Sequence, residues 1–131
     1  MAELSPADQA LIDAARDIID RRYKPDWHRV GAALRTRSGK VFAAVHIEAY
    51  VSRLSVCAEA IAIGMAASAG DTEIETIVAV RHTGQVVSPC GMCRELISDY
   101  APQAGVIVPD PDGERIVPVV TLLPNKYCRE H

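Results

Sequence analysis

Cys57-Ala58-Glu59-Ala60-Ile61-Ala62-Ile63-Gly64-Met65-Ala66-Ala67-Ser68-Ala69-Gly70 is the stretch on which the fold turns. It is rich in Ala, Ile and Met, contains no proline from Cys57 to Ala69, and meets Gly70 at its end. That composition predicts a buried helix over 57–69 with a glycine stop, because Ala and Met favour helical backbone and glycine takes the left-handed conformation that closes it. Ile74 to Val80 follows, apolar and largely β-branched, and predicts a strand. An apolar helix feeding an apolar strand points to a layered α/β fold.

Moving outward toward the N-terminus, Val30-Gly31-Ala32-Ala33-Leu34 and Val41-Phe42-Ala43-Ala44-Val45 are short apolar runs with the turn signal Ser38-Gly39 between them. They predict a hairpin. Before it, Ser5-Pro6-Ala7-Asp8 reads as a helix start, with Ser5 as cap, Pro6 in the first helical position and Asp8 as a first-turn acid. Leu11, Ile12, Ala15, Ile18 and Ile19 repeat with helical period, and Pro25 closes the segment. Toward the C-terminus, Gly91 to Tyr100 predicts a short helix ended by Pro102. Val106-Ile107-Val108 predicts a strand, Asp110-Pro111-Asp112-Gly113 a turn, and Ile116 to Val120 the last strand. The order is α-β-β-α-β-α-β-β, which predicts one mixed sheet with helices on both faces.

The 131 residues suit a single domain over 1–131 with one core. Hydrophobic residues make up 49% and charged residues 24%, the balance of a globular chain and not of a disordered one. No apolar stretch is long enough to span a membrane. Met1 to Pro6 lacks a basic start and an apolar segment, so the expectation is no secretion signal and a cytoplasmic location. Net charge is −3 and the basic residues are scattered. Arg21, Arg22 and Lys24 sit where cations offset the negative end of a helix. With no basic stripe and few aromatics, a nucleic-acid polymer is disfavoured as a partner.

Four cysteines in a chain without a signal argue for metal or catalysis over disulfides. Cys128 lies outside any motif and reads as a small hydrophobe or tail residue. The other three fall in Cys57-Ala58-Glu59 and Pro89-Cys90-Gly91-Met92-Cys93. Each motif opens a helix, where free N–H groups and positive partial charge favour thiolates. Cys90 and Cys93, spaced by one helical turn, share a face. Three sulfur ligands leave a tetrahedral Zn2+ one position short, and a fourth position held by water marks a catalytic site. Zinc lowers the pKa of such a water to about 7. Glu59, two residues from a ligand, is placed to move its protons. A structural zinc stays open as an alternative, with His28, His46, His82 or Cys128 closing the shell. The paired pattern C-x-E … P-C-x-x-C matches the zinc deaminase signature with Cys in place of its His.

At these residues the chain resembles the cytidine deaminase family, in its small three-cysteine branch that includes blasticidin S deaminase. The resemblance spans Val30-Gly31-Ala32-Ala33-Leu34, Cys57-Ala58-Glu59, Ser88-Pro89-Cys90-Gly91-x-Cys93-Arg94 and Leu122-Leu123-Pro124. It implies a three-layer α/β/α fold with a five-stranded mixed sheet, one zinc per subunit on Cys57, Cys90 and Cys93, and a homotetramer with active sites at subunit borders. It also implies hydrolytic deamination of cytidine, deoxycytidine or a close relative at C4, with Glu59 as the catalytic acid and base. The Ala58 backbone N–H and Glu59 would hold the base, and the Ser88 carbonyl would receive the amino group. Pro89 and Arg94 would lie just behind the metal, with Arg94 offsetting the thiolate charge.

Three places depart from that family. Cytidine deaminases usually carry Asn-x-Glu to grip the sugar, where this chain has His46-Ile47-Glu48. A neutral His can donate and accept one hydrogen bond each, so His46 and Glu48 remain candidate substrate contacts. The Arg usual after Cys-Ala-Glu is Ala60, and Trp27-His28 stands where a Phe is expected. These changes raise blasticidin S or another aminated heterocycle as the substrate, beside cytidine. A zinc-stabilised, non-catalytic oligomeric module is the reading from outside enzymology. His82 reads as a turn residue, Arg53 as solvated, and Tyr50 and Tyr127 as lining either a pocket or a subunit border.

Overall fold

The computed structural model describes residues 3–129. The first helix, α1 (Pro6–Arg22), starts at a full capping box: Ser5 Oγ accepts from the Asp8 N–H at 3.1 Å and Asp8 Oδ2 accepts from the Ser5 N–H at 3.1 Å. Strands β1 (Val30–Thr36) and β2 (Val41–Val45) form the expected antiparallel hairpin. Helix α2 (Ala58–Ser68) leads into β3 (Ile74–Arg81). A two-residue strand β4 (Val86–Val87) precedes α3 (Gly91–Tyr100), and β5 (Gly105–Asp110) and β6 (Gly113–Pro118) complete the sheet.

The strands run in the order β2-β1-β3-β5-β6, with β4 paired to β3 beside that path. Only the β3–β5 contact is parallel among these pairs; the others are antiparallel. The parallel pair follows from the α3 crossover, which returns the chain in the same direction. The mixed five-strand path with helices on both faces is the expected three-layer arrangement. β4 was not foreseen, because two residues are too few to show alternation.

Side-chain alternation divides the core. On one face α1 presents Leu11, Ile12, Ala15 and Ile19 to Ala33, Val78, Val80 and Ile107. On the other, α2 and α3 pack Ala62, Ile63, Ala66, Cys93 and Ile97 against Leu34, Ile77, Val106 and Val108. Odd and even positions of β1, β3 and β5 therefore serve different layers. Helix α2 ends as expected: Gly70 takes a φ of +71° and the Asp71 N–H donates to the Ala66 carbonyl at 2.9 Å. It is not buried all round, however, since Gly64, Met65, Ala67 and Ser68 are exposed.

The last strand differs from the expected 116–120. It begins at Gly113, the last residue of the expected turn, and ends at Pro118. Val119 and Val120 instead enter a 3-10 turn, Val119–Leu122, and Val119 is fully buried with its N–H donating to Ala104 O at 2.9 Å.

Helix α1 approaches β1 closely at Gly31. A Cβ there would lie 2.6 Å from the Ala15 carbonyl oxygen and 2.9 Å from Ile19 Cβ. Gly31→Ala must push α1 off β1, and the expected cost is about 1–3 kcal/mol of unfolding free energy. Urea unfolding checks this, and an unchanged midpoint would mean that α1 is not held by that contact.

Candidate active site

Cys57 is the N-cap of α2 and Cys90 the N-cap of α3. Neither side chain caps its own helix, so both sulfurs are free to face one another. Cys93 lies in the first turn of α3, buried at 2% exposure. The three sulfur atoms lie within 4.8 Å of one another, and Cys57 Sγ and Cys90 Sγ are 3.8 Å apart. A tetrahedral zinc with Zn–S bonds of about 2.3 Å sets its sulfurs about 3.8 Å apart, so the cysteines fit that ion without rearrangement.

No fourth protein ligand joins the cluster among the described residues. The closed shell suggested by His28, His46, His82 or Cys128 is therefore not built. His28 Nδ1 donates to the His46 carbonyl at 2.9 Å, and Cys128 is exposed beside Lys126 and Tyr127, away from the cluster.

Charge governs the three thiols. Burial pushes Cys93 well up, and the carboxylate of Glu59 and the neighbouring sulfurs push it further. Burial also raises Cys57, with Cys90 and Glu59 adding to it. Burial acts on Cys90 as well, but the N–H groups of Cys93 and Met92 outweigh it and bring that thiol down. Three thiolates at this spacing repel one another, and a divalent cation between them reverses the balance. Zinc is the cofactor this cluster holds.

Glu59, in the first turn of α2, is 6% exposed, and burial pushes its pKa up. It faces a pocket of about 560 Å³ whose inner wall is formed with Cys57, Ala58, Ser88 and Cys90. That volume suits one small organic ligand. Pro89 is buried and Cys93 sits behind the wall, outside the pocket lining. The pocket thus brings together Cys57 and Glu59 of one motif and Cys90 of the other.

His46 and Glu48 also line the pocket, but His46 is not free. Its Nδ1 accepts the N–H groups of Arg29 at 3.0 Å and Val30 at 3.2 Å. Backbone N–H groups only donate, so the ring proton is on Nε2, which donates to Glu48 Oε1 at 3.2 Å. Burial holds the pKa of His46 below its ordinary value, with Glu48 opposing and Arg29 and His28 adding to the effect. Glu48 Oε2 accepts from Ser55 Oγ at 3.0 Å. Both ring nitrogens of His46 are thus occupied by the protein, and Glu48 is held from two sides.

Arg94 is hydrogen-bonded to backbone. Its Nε donates to the Pro89 carbonyl at 2.9 Å and its Nη1 to the Leu122 carbonyl at 3.1 Å, so it ties the Cys90 loop to the C-terminal turn. These bonds go to carbonyl oxygens, not to sulfur. Tyr50 is 96% exposed beside Trp27, with ring centroids 5.5 Å apart, and does not line this pocket. Tyr127 lies by a second depression at the end of α3. His82 does occupy a turn, stacked on Tyr23, but it also borders the main pocket. Arg29, Ser55 and Arg81 also line it and were not anticipated, since nothing in their local sequence separates them from solvated residues.

Residues 5–108 match the family model described as the cytidine and deoxycytidylate deaminase zinc-binding region. The blasticidin-S deaminase of Bacillus cereus is 48% identical over 135 residues, covering 96% of each chain. A cytidine deaminase of Halalkalibacterium halodurans is 32% identical over 125 residues, covering 93% of this chain and 95% of that one. Among solved structures, the cytidine deaminase of Burkholderia pseudomallei aligns with a TM-score of 0.77 at 32% identity, over 95% of this chain and 100% of that one.

Proposed function

This chain belongs to the cytidine and deoxycytidylate deaminase family, and on that premise we propose that it hydrolyses the amino group from the cytosine ring of blasticidin S or a closely similar nucleoside, in preference to plain cytidine. The coarser statement, a zinc-dependent deaminase acting on an aminated nucleoside or heterocycle, stands on the family match and the three-sulfur cluster. The observation that carries the preference is His46. A residue whose two ring nitrogens are already bonded within the protein does not replace a sugar-gripping Asn. The 48% identity to the Bacillus cereus blasticidin-S deaminase supports the same choice.

Cys57, Cys90 and Cys93 would hold the zinc, which would supply the Lewis acidity that makes water a competent nucleophile near neutral pH. Glu59 takes a proton from the attacking water and delivers it to the ring nitrogen. It then delivers the second proton to the departing amine. The balance is ring C–NH2 plus H2O giving ring C=O plus NH3. Burial suits Glu59 to this work, because a carboxyl with a raised pKa both accepts and returns a proton readily. The Ala58 N–H, at the start of α2 where no helical acceptor is available, holds the base, and the Ser88 carbonyl accepts from the amino group. Glu48, oriented by His46 and Ser55, meets the sugar side.

The same reading takes a single-domain chain, a small nucleoside as substrate instead of a polymer, and a reducing cytoplasm that keeps the cysteines as thiols. It also takes a homotetramer, favoured by exposed Met65, Leu54 and Met92, with sedimentation as the check. Among the described residues no helix is long and apolar enough to cross a membrane.

A substrate panel tests the proposal. Purified zinc-loaded protein is expected to convert blasticidin S with a kcat/KM at least about tenfold above that for cytidine, followed by ultraviolet absorbance. Equal or better turnover of cytidine would overturn the preference and leave the deamination chemistry in place.

A further inference from the structure

Arg29 stands immediately before β1 and Arg81 ends β3. The two come from neighbouring backbone: Val30 pairs with Arg81 in the antiparallel register, and the His82 N–H donates to the Arg29 carbonyl at 2.9 Å. Both arginines are exposed and both line the pocket that holds Glu59.

What distinguishes them is that they are unpaired with an acid and also line this pocket, where Arg22 and Arg53 do not. Arg16, Arg21, Arg35 and Arg37 each face a carboxylate, and Arg94 is spent on two carbonyls. Neither Arg29 nor Arg81 has an acidic partner among the described residues, although the chain carries more acids than bases. The inner wall they look across carries no Lys or Arg: it holds Glu48, Glu59 and the sulfurs of Cys57 and Cys90. The pocket is therefore polarised, acidic within and basic at one side. A ligand with a neutral ring and an anionic appendage fits it in one orientation only, ring toward the sulfurs and anion toward the guanidinium groups.

We propose that Arg29 and Arg81 form an anion subsite, which takes a carboxylate or phosphate group carried on the sugar side of the substrate. This rests on the reading above that the ring lies at Glu59 and the cysteines. Guanidinium groups suit either anion, because both present paired oxygens to the planar N–H fork. The subsite also gives the pocket a way to choose among nucleosides that share one base.

Equilibrium binding of deaminated ligands tests this without turnover. Zinc-loaded protein is titrated calorimetrically with uridine, uridine 5′-monophosphate and uridine 5′-carboxylate. At low salt, at least one anion is expected to bind about tenfold tighter than uridine, and which one identifies the group the site was built for. That advantage should fall below about twofold in R29Q/R81Q and shrink as salt rises. Retained zinc content and an unchanged thermal midpoint show the variant is folded, and R81Q alone serves if the double variant is not. Uridine and both anions binding alike or not at all, or an anion preference that survives the substitutions, would overturn the subsite. Turnover of blasticidin S and cytidine on the same preparation separates the two readings. Turnover without anion preference defeats only the subsite, and anion preference without turnover defeats only the proposed deamination.

Discussion

Glu59→Gln is expected to lower kcat by about 10²–10⁴-fold while zinc stays bound. The substitution keeps the size and planarity of the side chain and removes only the capacity to accept and return a proton. Glu59 is 6% exposed and pushed toward its neutral form by burial, so no bulk water is at hand to shuttle protons in its place. Its carboxylate also raises the Cys93 thiol, so the amide relieves a repulsion at the metal cluster and gives no reason for zinc to leave. Loss of turnover with zinc retained therefore separates proton transfer from metal binding. A Gln variant within about tenfold of the parent would remove Glu59 from the chemistry.

Cys93→Ala is expected to abolish zinc retention and turnover together. The three sulfurs lie within 4.8 Å of one another, and Cys93 is the buried one, 2% exposed in the core formed by α2, α3 and the sheet. Removing it leaves two ligands from helix caps and opens a gap beneath them. Changes to groups that merely support a metal ligand cost about 10–100-fold in affinity, and loss of a ligand itself should exceed that. Dialysis against a chelator followed by metal analysis measures it, with Cys128→Ser as the control, since Cys128 is exposed and outside the cluster. The melting temperature should fall as well, because affinity for the folded state alone adds to stability. A variant that keeps one zinc per chain would show that the fit of three cysteines to the ion is coincidental.

Much of this molecule was legible in its sequence for local reasons. The helix start at Ser5-Pro6, the glycine stop at Gly70 and the hairpin around Ser38-Gly39 are all short-range signals, and each appears where expected. The two cysteine motifs were readable because helix caps fix them relative to their own helices. What stayed hidden depends on partners distant along the chain. The ring of His46 is bonded to backbone N–H groups of Arg29 and Val30, which no side-chain pattern encodes. Arg94 finds its acceptor at Leu122, and Arg29 meets Arg81 only through strand pairing. The end of β6 was misplaced because Val119 and Val120 have strand-like side chains, while burial of Val119 against Ala104 favours a tight turn.

The placement of Cys57 and Cys90 at the starts of two separate helices has a consequence for how the chain assembles. The pair is separated by 33 positions, and between them run α2, β3 and β4. Bringing two such distant points together costs entropy that no local contact repays. The full set of sulfurs exists only after β3 has slotted in beside β1 and α3 has crossed back. Metal uptake is thus a late event in folding, a latch that closes on a topology already found. Stripping the ion should first loosen this internal segment, while the hairpin and α1 keep their protection from hydrogen exchange.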